Sequence, residues 1–290
     1  MKRISTGRLV FNIINFFVMA LVCIVTLYPF LFITAASLSG PQFIAQGKIS
    51  ILPVDFTIDA YKMVFNYPMI ARSYFNTILY TTLGTAINIL LTIFAAYPLS
   101  RKYFIGRKFF NMMIFFPIIF NVGMIPSFLV VNGLHLRNSI WAMVLPGAIA
   151  GFNVIIMRTF FEGIPEALEE SARIDGSSHM QTLFKIILPL SLPSIATIGL
   201  FYAVGHWNSF FGAMLYLRDP KMQPLQIILR NIVVMNQTDS VMQSVNDDRA
   251  QISESIKYAT IMVATIPILL VYPFIQKYFV QGVMIGSVKG

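Results

Sequence analysis

One segment, residues 158–190, carries carboxylates that could contact another protein. Glu166, Glu169 and Glu170 lie close together there. Carboxylates form strong charge-assisted hydrogen bonds with arginine or lysine on a partner. No nucleophile or metal cluster that would indicate an enzyme is apparent in the sequence. The segment is therefore either a solvated loop or a docking surface for a soluble partner, and the residues alone leave both open.

The same segment predicts a helix, a tight turn and a second helix. Pro165 suits a first helical position, and the glutamates that follow it are favoured by the helix dipole. Asp175-Gly176 ends this helix, because glycine readily takes a positive φ. Ser178 with Gln181 three residues later resembles a capping box that starts the second helix. Pro189 is expected to stop the second helix.

A second group of polar residues, His206, Trp207 and Asn208, falls inside a long apolar run. Polar groups at membrane depth face a cavity or a neighbouring helix. Aromatic and amide groups suit sugar rings, so these residues are candidates for a substrate path. Hydrogen bonding between helices is the other interpretation, and both remain open.

Composition places the chain in a membrane. Of its 290 residues, 57% are apolar and only 11% are charged, whereas soluble domains carry about a quarter charged residues. The net charge of +9 does not indicate nucleic-acid binding, because the basic residues fall between apolar runs and form no continuous stripe. The single cysteine, Cys23, excludes a disulfide framework and a cysteine-based metal site.

Gaps between charged residues define the membrane spans. A spanning helix needs roughly 20 mostly apolar residues, because lipid offers the backbone no hydrogen-bond partner. Six stretches meet this requirement, with ends near residues 9–36, 75–99, 109–131, 138–157, 192–217 and 255–278. We therefore expect one all-α membrane domain over residues 1–290.

Orientation follows from lysine and arginine in the short links. Four such residues, Arg101, Lys102, Arg107 and Lys108, lie between the second and third spans, whereas Arg137 is alone in the next link. The first of these links is therefore expected in the cytoplasm. The same alternation puts both termini, the loop 158–190 and the tail 279–290 inside. Segments 37–74 and 218–254 are then external.

The spacing in the cytoplasmic loop resembles the EAA loop of ABC importer permeases. Glu170-Ser171-Ala172 is followed after three residues by Gly176, and after nine more by Ile186-Ile187-Leu188-Pro189. The departure is Ser171, where the family usually has alanine, but serine is nearly as small. The flanking A-R-I-D-G sequence, the W-N pair in the fifth span and the tail are similar to carbohydrate-type permeases, in particular the smaller permease of maltose-type importers. The oligosaccharide and alginate-fragment group within that class is the nearest.

The resemblance implies a type I ABC importer permease fold and assigns roles to two sets of residues. The first set would couple the chain to an ATPase: Glu170, Ser171, Ala172, Asp175, Gly176, Ile186, Leu188 and Pro189. The second set forms a C-terminal coupling tail: Gln281, Gly282, Lys289 and Gly290.

The resemblance also implies partners and cofactors. The chain has no G-x-x-x-x-G-K-[ST] loop to cradle phosphates, so this subunit is expected to bind no cofactor and to have no ATPase site. ATP and Mg would be bound by two separate ATPase subunits. A second permease subunit, membrane lipid, an external solute-binding protein and the sugar that it delivers complete the expected partners.

Three other functions were weighed. An ion-coupled secondary carrier usually has acidic residues within its spans, and the predicted spans contain none. A channel would need a filter-like loop, and none is visible. A non-transport interaction protein is distinguished from an importer by co-purification, because only an importer is predicted to bind a soluble ATPase through the 162–189 loop.

Overall fold

The computed structural model describes residues 6–120, 122–242 and 247–287, and the side chains of 7–120, 122–234, 254–273 and 276. These residues are helical apart from turns and one isolated bridge between Ser39 and Phe56. The helices are α1 Thr6–Ser37, α2 Pro41–Ala45, α3 Asp59–Phe65, α4 Ile70–Ser100, α5 Arg107–Ile119, α6 Met124–Gly133, α7 Trp141–Val144, α8 Gly151–Glu162, α9 Glu166–Ile174, α10 His179–Thr182, α11 Leu188–Leu190, α12 Leu192–Trp207, α13 Phe211–Tyr216, α14 Leu225–Met242 and α15 Asp247–Ser287. A π-helical stretch, Leu183–Ile187, joins α10 to α11.

Three helical stretches in the described residues are long and apolar enough to cross a membrane alone: Gly7–Ser37, Ile70–Ser100 and Glu254–Pro273. The number rises to five if each of two bent helix pairs, α5 with α6 and α10–α11 with α12, counts as one span. The predicted span 138–157 is instead built from two short helices, α7 and α8, separated by residues 145–150. The six-span layout therefore stays a prediction.

The chain divides into two compact units, and the single membrane domain expected from the sequence stays a prediction. The first unit comprises residues 1–70 and 229–266, and the second comprises 71–228 and 267–290. In the first unit the Phe32 and Tyr258 rings meet edge to face, with centroids 5.8 Å apart. Large apolar side chains of α1 are exposed along its length, which suits contact with lipid.

The second unit has its core where α4, α8, the π-helical stretch and α12 meet. Fully buried side chains there include Met157, Phe161, Leu183, Ile187 and Ile198. At the beginning of α4, side chains bind the backbone of the segment that leads into α14. Asn76 Nδ2 donates to Lys221 O at 2.8 Å, and Tyr80 OH donates to Met222 O at 2.7 Å. The second unit is thus stabilised by an apolar core at its centre and by these hydrogen bonds at the beginning of α4.

Candidate functional site

The predicted helix-turn-helix is present, as α9 and α10. The first helix ends at Ile174, and Gly176 takes a left-handed conformation with φ +80°. An added Cβ at Gly176 would meet nothing within 4 Å, so glycine is required there by the backbone rather than by crowding. The turn closes with Ser177 N donating to Ala172 O at 2.9 Å.

The predicted capping box at α10 is confirmed. Gln181 N donates to Ser178 Oγ at 3.3 Å, and Ser178 N donates to Gln181 Oε1 at 2.9 Å. The expectation that Pro189 stops this helix is wrong. Pro189 lies in the first turn of α11, where a missing N–H is tolerated, and the chain bends by 82° between α11 and α12 instead.

The turn between α9 and α10 is solvent-exposed. The predicted coupling residues Glu170, Ser171, Asp175 and Gly176 are all exposed, whereas Ala172 is buried. Further along, Ile186 and Leu188 are half-buried and Pro189 is exposed. The structure thus brings the acidic and small residues of the motif together on one accessible surface.

Apolar side chains join this surface, which sequence reasoning did not single out. Ile174 is 86% exposed, although it sits beside the polar turn. Leu168 on α9 and Met180 on α10 are exposed as well. We call Glu170 and Ile174, which lie on one face of α9, together with Met180 beyond the turn, the loop surface; Leu168 lies on another face of α9. Exposed apolar groups ringed by polar ones mark interaction sites.

Sequence reasoning also missed how the loop is held. Glu169, next to the predicted contact Glu170, is buried, and its Oε1 lies 2.5 Å from Arg101 Nη1. The available signals were the spacing of Glu169 to Ala172, which puts both on one face of a helix, and the position of Arg101 directly after a long apolar span. Leu183 and Ile187, which no motif marked, anchor the π-helical stretch in the core.

The candidate substrate-path residues contact neighbouring residues of the second unit. His206 Nε2 shares a hydrogen bond of 2.7 Å with Asn88 Oδ1 on α4. The Trp207 ring meets Tyr74 edge to face, and Asn208 Nδ2 donates to Val204 O at 3.0 Å. The contacts of His206 and Trp207 match the helix-to-helix interpretation, whereas the Asn208 bond stays within its own helix. A role in the substrate path stays a prediction.

The tail residues fall at the limit of what is described. Gln281 and Gly282 lie within α15, but their side chains are outside the described residues. Lys289 and Gly290 lie outside the described residues entirely. The structure therefore does not test their predicted coupling role, which stays a prediction.

Comparisons with known proteins agree with this geometry. The family described as binding-protein-dependent transport system inner membrane component matches residues 68–285. The polygalacturonan/rhamnogalacturonan transport system permease protein YtcP of Bacillus subtilis (strain 168) is 45% identical over 272 residues, covering 93% of this chain and 94% of that protein. Protein LplC of the same organism is 43% identical over 290 residues, covering 100% and 98%.

A solved structure shows the same fold. It is a chain of a bacterial ABC transporter involved in the import of the acidic polysaccharide alginate, with a TM-score of 0.85 and 35% identity, covering 96% of this chain and 100% of that one. An all-helical membrane chain with this fold and an EAA-type loop is, by class, a multi-pass ABC transporter permease subunit. The chain belongs to the family of binding-protein-dependent transport system inner membrane components.

Proposed function

We propose that this chain is one of two permease subunits of an ATP-driven importer that carries oligosaccharides across the bacterial inner membrane. The observation that carries the proposal is the loop surface. A membrane protein of this family exposes Ile174 and Glu170 side by side at the tip of a polar loop. Apolar and acidic groups in one place suit a soluble partner that offers an apolar cleft with arginine or lysine at its rim.

That partner is an ATPase subunit. The sequence has no phosphate-binding loop of its own, so two ATPase subunits supply ATP and Mg, one below each permease. Closure of the ATPase pair moves α9 and α10, and these helices carry the core of the second unit with them, because Leu183 and Ile187 are fully buried in it. The complex hydrolyses ATP, and this chain converts the movement into a change of access. The C-terminal tail joins the same contact.

The loop surface lies in the cytoplasm with both termini. The supporting observation is the cluster Arg101, Lys102, Arg107 and Lys108 between α4 and α5, which contacts the loop directly: Lys102 Nζ is 3.5 Å from Glu166 Oε2. Short links rich in lysine and arginine stay inside. Segments 37–74 and 218–254 then face outward, where a solute-binding protein delivers the sugar.

The substrate is a fragment of an acidic polysaccharide. Support comes from the relatives, since one is described as a polygalacturonan/rhamnogalacturonan permease and another belongs to an alginate importer. Both of those polymers carry carboxylate sugars. Uptake of an oligogalacturonide, compared with uptake of a neutral oligosaccharide of equal length, distinguishes import of acidic fragments from sugar import in general.

The test is reconstitution of the complete importer in lipid vesicles with variants of the loop. Glu170→Lys and Gly176→Val are expected to reduce ATPase binding and uptake of a labelled oligogalacturonide. Lys62→Ala, at an exposed position on α3 in the outward-facing segment 37–74, is the control for docking and keeps ATPase binding. Wild-type ATPase binding and uptake in both loop variants would overturn the proposed docking.

A further inference from the structure

Three ion pairs join the link between α4 and α5 to the chain around α9, all within the second unit. Two basic residues of the link and the first residue of α5 each pair with a different glutamate. The pairs are Arg101 with Glu169, Lys102 with Glu166, and Arg107 with Glu162. They line a cavity of about 430 Å³.

The three pairs differ greatly in burial. The side chains of Arg101 and Glu169 are only 8% and 3% exposed, whereas those of Lys102 and Glu166 are 83% and 60% exposed. Exposed ion pairs contribute little because water and salt screen them. Breaking a buried pair leaves an uncompensated charge in a poorly solvated place, which is strongly unfavourable. The buried pair therefore dominates the attachment.

Besides these ion pairs, the guanidinium of Arg173 on α9 lies 4.6 Å from the ring centroid of Tyr103 in the same link, but the Arg173 side chain is 44% exposed. The helix α9 has few buried attachments. Its buried residues are Glu169 and Ala172, and alanine offers little surface. The other Glu169 oxygen, Oε2, lies 4.0 Å from Arg173 Nη2.

On the opposite side, Arg101 follows the last residue of α4 directly, and its guanidinium lies 5.0 Å from the Tyr97 ring centroid. Arg101 Nε and Nη2 and Glu169 Oε1 have no hydrogen-bond partner among the described residues, so the attraction between Arg101 and Glu169 is that of a close ion pair.

We propose that the Arg101–Glu169 pair is a clamp through which movement of α9 is delivered to the membrane helix α4. Arg101 is then a positioning residue for transport, acting through Glu169 rather than on the sugar. This inference rests on the proposed ATPase docking at the loop surface. It adds a second route of force, beside the covalent one that runs through the π-helical stretch into α12.

The first experiment compares a buried with an exposed cation in the complete reconstituted importer. Arg101→Met is expected to lower the sugar transported per ATP hydrolysed more than about tenfold, because it frees α9 from α4. Lys102→Met, one residue along, is the matched control and is expected to stay within about twofold of wild type. An Arg101→Met complex with the wild-type ratio would overturn the proposal.

A second variant guards against simple misfolding. Arg101→Met combined with Glu169→Met removes both buried charges, and apolar replacements of this kind usually preserve folding. We expect this complex to keep its ATPase subunits and its thermal stability while transport per ATP remains reduced about tenfold, because the ion pair specifies one arrangement of α9 against α4 and the apolar pair does not. Wild-type coupling in this variant would contradict the clamp.

The decisive experiment replaces the clamp with a covalent bridge. Cys23→Ser removes the only native cysteine, and Lys102→Cys with Glu166→Cys then adds two thiols at an exposed pair lining the same cavity. A short reducible bis-thiosulfonate reagent links them. The bridge is expected to leave transport intact in the otherwise unchanged complex and to restore coupling to the double-Met variant until reductant is added.

Two results would refute the clamp: a bridge that blocks transport, which would mean that α9 and the link must separate, or a bridge that fails to restore coupling. If the proposed ATPase docking itself is wrong, the experiment gives a different result. In that case the complex without substitutions would bind no ATPase subunit and show no ATP-driven uptake.

Discussion

The crossing of α4 and α12 at Gly84 offers a sharp prediction about packing. A Cβ added at Gly84 would lie 2.4 Å from His206 Nε2 and 2.6 Å from Cε1. The imidazole is not free to retreat, because Nε2 shares a 2.7 Å hydrogen bond with Asn88 Oδ1. Gly84→Ala must therefore overpack the crossing of the two helices and displace the His206 ring from that bond.

The magnitude follows from these two costs. Overpacking a close contact costs about 1–3 kcal/mol, and a hydrogen bond between membrane helices is worth about 0.6 kcal/mol on average. Their sum is about 2–3 kcal/mol, offset by the gain of up to about 1 kcal/mol that alanine brings to a helix interior. A net loss of about 2 kcal/mol corresponds to a melting temperature lower by about 5 °C.

Thermal melting of the purified importer measures this loss, with two graded controls on α12. Gly199→Ala would place its Cβ 3.0 Å from the flexible end of Ile89, and Gly205→Ala would meet nothing within 4 Å. We expect a loss at Gly84 larger than at Gly199, and none at Gly205. Two results would refute the clash with His206. One is a Gly84→Ala variant with the same melting temperature as Gly205→Ala. The other is a Gly84→Ala substitution that lowers the melting temperature equally in the His206→Ala background, where the ring is absent.

Further predictions concern the loop and its anchors. Ser178→Ala removes a confirmed cap of α10 and is expected to cost about 1 kcal/mol, measured as a lower melting temperature with Gln181→Ala as the companion variant. Gly176→Ala forces an L-residue to φ +80° at a cost of about 1–2 kcal/mol, so the melting temperature is expected to fall. Gly176→Asn is expected to cost less, because asparagine tolerates this conformation better. Equal losses in the two variants would contradict the backbone argument. Leu183→Ala empties a fully buried site and is expected to cost about 2–5 kcal/mol, whereas Phe184→Ala, 51% exposed, costs far less in the same melting assay; the reverse order would contradict the assigned core.

The parts of the fold predicted from sequence are those that local chemistry decides. The turn at Asp175-Gly176 and the cap at Ser178 follow from backbone preferences and short-range hydrogen bonds, and both are present. Long apolar stretches gave α1 and α4, because lipid imposes helix on any such stretch.

The rest of the fold depends on which helix surfaces pack against each other, and local sequence patterns do not carry that information. Glu169 and Glu170 are adjacent and chemically identical, yet one is buried against Arg101 and the other is exposed. The spacing of Glu169 to Ala172 puts those two residues on one helix face, but only the packed structure shows which face of the helix is buried. The expected stop at Pro189 failed for the same reason, since a π-helical stretch moved the proline into a position that tolerates it.

The most direct measurement of the central claim is crosslinking from the tip of the loop surface. A photoreactive group on Ile174→Cys, in the Cys23→Ser background, is predicted to join this chain to an ATPase subunit, with a yield that changes when ATP is added. The same group on Leu52→Cys, 74% exposed in segment 37–74, should give no such product. Labelling of Ile174→Cys by an impermeant reagent from outside the cell, or crosslinks without any ATPase subunit, would contradict the account.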